Sequence, residues 1–212
     1  MKNEFYFQIL VTEEQKKYAQ ELVDYSLKNH PISNIWDSKK KDQTANLRFT
    51  GTLGEIVFAD TYKLNRPTRS FGAIDGQDFG KDFEIKFKEK SMNFDLKTMH
   101  RRSNKFYQNY VLNIPARNIK REDSITDFYF CISLHEVDNK TIASFLGYIN
   151  KQDILENKIG ILYKKGTVRT RADKTNFEFF EDTYEVFFKN ITTPFTSPRI
   201  RKFKDFKIFK LK

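Results

Sequence analysis

Two short runs that alternate apolar and polar residues, 82–87 (DFEIKF) and 92–98 (MNFDLKT), constrain this chain more than any other feature. Alternation with a period of two marks a strand with one buried face. The charged link Lys88–Lys90 is short enough to impose a tight antiparallel hairpin. A turn centred near Lys88–Glu89 sets Asp82 opposite Asp95 and Glu84 opposite Asn93. Because side chains alternate faces along a strand, Phe83, Ile85 and Phe87 join Met92, Phe94 and Leu96 on a greasy face that needs a helix over it. The other face collects Asp82, Glu84, Lys86, Asn93, Asp95 and Lys97. Opposed Cβ atoms stand about 4.5–5.5 Å apart, and like charges there repel. Asp82 and Asp95 are therefore expected to share a cation, with Lys97 one pleat further along the same side.

The pattern Asp82, then Asp95-Leu96-Lys97 on the next strand, resembles the PD-(D/E)xK nuclease superfamily, which includes the type II restriction endonucleases. The wording at 78–83 (DFGKDF) and 94–98 (FDLKT) is similar to its restriction-like members, although no Pro precedes the candidate Asp. The resemblance covers roughly residues 50–98. It implies an α/β (α+β) fold, a restriction endonuclease-like mixed central sheet flanked by helices. It also implies a metal-dependent DNA endonuclease that hydrolyses phosphodiester bonds. Asp82 and Asp95 would ligate the metal with the Leu96 carbonyl, and Lys97 would orient the attacking water. Asp78 is the rival first ligand, but it lies outside the strand and only Asp82 faces Asp95. The run 51–55 (GTLGE) resembles the helix that precedes the active-site strands in many members, making Glu55 an outer or second-metal ligand. The alternative for Glu55 is a carboxylate favoured by the helix dipole. The implied cofactor is Mg²⁺, with Mn²⁺ able to substitute. A Holliday-junction or repair-type nuclease would use the same residues, and a catalytically inactive nucleic-acid-binding protein is the rival from another class.

The formal net charge of +10 across 212 residues favours a polyanionic partner, DNA rather than a membrane. With hydrophobic content of 39% and charged content of 31% the chain is globular rather than disordered. Three scattered histidines and one cysteine, Cys131, exclude an internal disulfide and an all-protein zinc site. Carboxylate oxygens suit Mg²⁺ or Mn²⁺ instead. Nothing reads as a signal peptide or membrane span, so a cytoplasmic location is expected. A homodimer is expected if both strands of a symmetric site are cut.

One nuclease-like domain is expected over 1–196, followed by a basic tail, 197–212. Within it lie a strand and helix (1–30), a catalytic core (about 50–150) and a β-rich part (159–190). Phe5–Val11 reads as a strand, and Thr12 with Gln15 as a capping box opening a helix that stops near Asn29. Residues 31–46 read as a loop in which Trp36 is an anchor or a DNA wedge. Leu53, Ile56, Val57 and Leu64 stripe a helix over 50–64. Strands follow at 110–114, 127–135 and 141–149, then a short helix at 151–156. The resemblance implies a helix between the third and fourth core strands, and between 98 and 127 only a short turn around 116–123 offers a place for it. Arg101, Arg102 and Lys105 directly follow the hairpin, and Arg169, Arg171 and Lys174 crowd a later tip; both groups are candidate DNA contacts. His100 is a candidate base or a solvated loop residue. The tail carries seven Lys/Arg against one Asp. It would lie along DNA, pack as a last strand, or stay solvated.

Overall fold

The computed structural model describes residues 4–29, 38–68, 81–87, 89–102, 105–170 and 176–212. The described chain is mixed α+β. Its strands are β1 (Phe5–Leu10), β2 (Phe83–Phe87), β3 (Lys90–His100), β4 (Val111–Pro115), β5 (Phe128–Val137), β6 (Lys140–Asn150), β7 (Ile161–Tyr163), β8 (Val168–Thr170), β9 (Asn176–Glu178), β10 (Thr183–Phe187) and β11 (Lys207–Lys210). Its helices are α1 (Glu13–Asn29), α2 (Ser38–Tyr62), α3 (Ala116–Lys120) and α4 (Lys151–Leu155).

Six strands form one sheet in the order β11-β1-β6-β5-β3-β2, with β3 and β5 parallel and the other neighbours antiparallel. The hairpin has the expected register: Phe83 pairs with Phe94 and Glu84 with Asn93. Alternation then sorts the core into two layers. Phe94, Leu96, Phe130, Ile132 and Phe145 face α1 and α2, while Tyr129, Cys131 and Leu146 face the other way. That second face is covered largely by a three-stranded sheet, β4-β10-β7, which supplies Leu112, Ile114, Tyr184 and Val186. A central sheet flanked by helices, with a β-rich part over 159–190, was the expectation. Period-two runs in the chain's second half instead make this second sheet.

Helix α1 opens on the expected reciprocal cap. The Gln15 N–H donates to Thr12 Oγ1 at 3.2 Å and the Thr12 N–H to Gln15 Oε1 at 2.9 Å. Helix α2 starts at Ser38, well before the expected Thr50, so the loop assigned to 31–46 is helical in its second half. Residues 38–48 carry no apolar stripe, which silences periodicity, yet Lys, Gln, Ala, Leu and Arg are strong helix formers. Arg48 Nη1 also donates to Ser26 Oγ of α1 at 2.9 Å. The helix closes where Lys63 turns left-handed (φ 59°) and the Leu64 N–H reaches the Ala59 carbonyl at 2.8 Å. Arg66 then ties the two helices, donating to Asp60 of α2 at 2.7 Å and to Glu14 of α1 at 2.6 Å. Trp36 and the glycines at 72, 76 and 80 lie outside the described residues.

Phe58 seats α2 on the hairpin. It is fully buried, with ring centroids 5.1 Å from Phe83 and 4.9 Å from Phe130. Truncating such a residue to alanine costs about 3–5 kcal/mol. The stretch 197–212 is part of the fold: β11 pairs with β1, and Ile200 and Leu211 are buried. The last-strand alternative is the one adopted. No helix among the described residues is long and apolar enough to cross a membrane.

Candidate active site

Asp82 stands one residue before β2, where the hairpin ladder gives way to side chains. Its N–H still donates to the Phe94 carbonyl at 2.9 Å. Its Oδ2 then accepts the Leu96 N–H at 2.6 Å. Alternate residues of β3 thus turn their backbone polar groups to this edge, the Leu96 carbonyl included. Among the described residues, β3 from Asp95 onward has a strand partner only in β5. A cleft of about 310 Å³ lies here, and Glu55, Asp82, Asp95, Leu96 and Lys97 all line it.

Glu55 arrives from α2 because its neighbour has no side chain. A Cβ at Gly54 would stand 1.9 Å from Thr98 Oγ1 and 2.7 Å from Thr98 Cβ. Only glycine allows α2 this close to β3. Gly51, one turn earlier on α2, faces open space.

Lys97 Nζ grips both oxygens of Asp95, at 2.6 and 2.8 Å, and lies 5.5 Å over the Tyr129 ring. The Asp82 carboxyl is pushed well above the usual carboxylate range. Burial is the main cause, followed by the charges of Glu55 and Asp95; the Leu96 N–H and Lys97 offset part of it. Asp82 as a residue is half-buried, and its carboxyl is the enclosed end.

The donor set fits a hard divalent cation in kind. It offers carboxylate and carbonyl oxygens, and the mutual repulsion felt at Asp82 is what a cation relieves. Among the described residues, however, no three His, Cys, Asp or Glu side chains are gathered closely enough to hold an ion. Asp95 is turned onto Lys97, and Asp82 onto the Leu96 amide.

The remaining candidates scatter. Asp78, Arg171 and Lys174 lie outside the described residues. Arg101 points inward, donating to the Val111 carbonyl at 2.9 Å between the Tyr110 and Phe188 rings, and burial lowers its pKa. Arg169 is ion-paired at 2.5 Å with Glu185, itself 2% exposed. Both read as surface cations in sequence because burial is invisible there. Arg102, Lys105 and His100 are exposed. Glu84, on the polar face of the hairpin, accepts from Ser91 and Lys81.

Sequence reasoning missed Asn118, Arg121 and Ser124, which also line the cleft. They follow β4 in and after α3, a helix of five residues, where the chain read only as a turn. The Tyr129 hydroxyl donates to the Asn118 carbonyl at 3.1 Å, fastening this segment to β5. Lys151, at the start of α4, feels the Asp95 charge as well. A dense polar run, 117–124 (RNIKREDS), was the available signal. Family models, curated proteins and solved structures were each compared with this chain, and none matches.

Proposed function

We propose that this protein is a Mg²⁺-dependent endonuclease of the PD-(D/E)xK kind, with a restriction endonuclease-like core and DNA as substrate. The observation that carries the reading is the single cleft shared by Glu55, Asp82, Asp95 and Lys97 at the open edge of β3. The order of a helix, an antiparallel hairpin and a parallel neighbour strand around that edge supports it. So does the net charge of +10.

In this reading Asp82, Asp95 and the Leu96 carbonyl hold Mg²⁺ or Mn²⁺, with Glu55 beyond them. The ion supplies Lewis acidity and a more acidic bound water. The chain's own groups do the rest. Lys97 leaves Asp95 to orient the attacking water and to offset charge growing on the phosphate. Arg121, which the structure pairs with Asp123 at 2.5 and 2.8 Å, would turn its guanidinium from that carboxylate to a phosphate oxygen in the same cleft. Glu55 takes up or passes on the proton of the water. Two copies would be needed to cut both strands of a symmetric site.

The test is a plasmid-nicking assay with Mg²⁺ and with EDTA. Wild-type protein nicks in Mg²⁺ alone, while Asp95→Ala and Lys97→Ala proteins bind DNA but do not cut. Equal cutting by those variants removes the assignment. Binding without cutting by the wild type favours an inactive binding protein. Discrete bands from linear DNA favour a restriction-like role, and preference for branched DNA favours a junction nuclease.

A further inference from the structure

We infer that a second cavity, of about 410 Å³ beside His135, binds a nucleoside monophosphate. It lies about 13 Å along β5 from Cys131, the register partner of the cleft residue Lys97, since four residues of strand span that length. It is therefore separate from the cleft, and the inference holds whether or not the cleft cuts DNA.

The first observation is a polar row where an apolar one belongs. Register aligns Lys207 of β11 with Gln8 of β1, Gln8 with Ser144 of β6, and Ser144 with Ser133 of β5. Paired residues share a face. Gln8, Ser133 and Ser144 are buried, with Gln8 Nε2 donating to Ser144 Oγ at 2.9 Å. His135 follows Ser133 on the same face of β5.

The second observation is His135 itself. It is 1% exposed, lines the cavity, and neither ring nitrogen has a hydrogen-bond partner among the described residues. Ser133 Oγ is likewise without one. Buried polar atoms are rarely left so, because each costs about 1–3 kcal/mol. Burial also lowers the His135 pKa, with Glu136 opposing and His100 assisting, which favours the neutral ring. A neutral imidazole presents one donor and one acceptor.

These features define the ligand. The floor takes an uncharged group that both accepts and donates, as the edge of a nucleobase does. A charged group there would be buried without a counterion. Ile142, Val137 and Phe209 give apolar wall against the faces of a flat ring. Lys140 and Lys207, both exposed, stand at the rim for a phosphate, and Asp138 and Asp205 can accept from sugar hydroxyls. The volume falls in the usual range of about 300–1,000 Å³ for small-molecule sites.

The experiment follows the three imidazoles of the full chain by NMR, with ¹⁵N-histidine label and EDTA present. Each of the four ribonucleoside monophosphates, the matching nucleosides and inorganic phosphate is titrated separately. At least one monophosphate is expected to shift the His135 signals saturably. Its nucleoside should do so about tenfold more weakly, and phosphate alone should not reach His135. Lys207→Ala weakens the monophosphate severalfold and leaves the nucleoside unchanged; it is a surface change that does not endanger folding. His135→Asn, if folded, weakens both. The inference is overturned if no monophosphate moves the His135 signals at millimolar concentration. It is overturned equally if phosphate alone reproduces the shift, or if Lys207→Ala changes nothing.

Discussion

Lys97 holds both carboxylate oxygens of Asp95 from two residues along the same strand, so the base of the cleft is a closed ion pair. The pair is largely shielded, with side-chain exposures of 22% and 12%. Lys97→Met takes the ammonium away from that carboxylate and should cost about 1–3 kcal/mol. The urea midpoint at neutral pH falls, and Lys97→Met/Asp95→Asn together recover most of it while nicking stays absent. An unchanged midpoint in the single variant shows that the contact contributes nothing.

Asp82 makes stability depend on pH in an unusual direction. Its folded pKa is raised, so the folded chain holds that proton more tightly than the unfolded chain. Its contribution is fully present in acid, below the ordinary aspartate value of about 4, and is lost as pH rises through the raised value. Near neutrality, in EDTA, Asp82→Asn should therefore melt higher than wild type, since Asn still accepts the Leu96 N–H. The difference closes in acid. Added Mg²⁺ should raise the melting temperature of wild type and not of Asp82→Asn. A variant that melts lower at pH 7 contradicts this.

Gly54 and Gly51 should behave as opposites. Gly54→Ala drives a methyl group into Thr98 and lifts α2, costing about 1–3 kcal/mol by overpacking. Cleavage falls with it because Glu55 moves too. Gly51→Ala meets nothing within 4 Å and gains helix propensity of up to about 1 kcal/mol. Thermal melts and nicking rates of the two proteins are the check.

Arg169 and Arg102 separate stability from DNA affinity. Arg169→Ala leaves Glu185 buried and unpaired, and should destabilise by about 2–4 kcal/mol, relieved by Glu185→Gln. Arg102→Ala should leave the melting temperature alone and weaken DNA binding, lowering the slope of log K against log salt by about 1. The reverse pattern would exchange their roles.

The hairpin was legible because three signals agreed: period-two alternation, a short charged link, and acidic residues that register sets opposite each other. Asp82, Asp95 and Lys97 came to one cleft for that reason. The first half of α2 was not legible, since 38–48 has propensity without a stripe. Neither was the inward turn of Arg101 and Arg169, because a guanidinium reads the same beside a phosphate as beside a buried carbonyl or carboxylate. Arg121 and Asn118 belong to a five-residue helix, too short for any period to register.

Strand β3 runs eleven residues and β2 only five, so among the described residues part of a long strand borders no other strand on one side. Such a border invites a second chain to add on, edge to edge, and charged side chains are a common guard against it. Asp82 fills one of its amide positions, and the charges of Asp95 and Lys97 sit along it. Valine at position 82 should thus produce a protein that precipitates or self-associates as its concentration rises. The residues proposed to cut DNA would then also be the ones that keep neighbouring molecules apart.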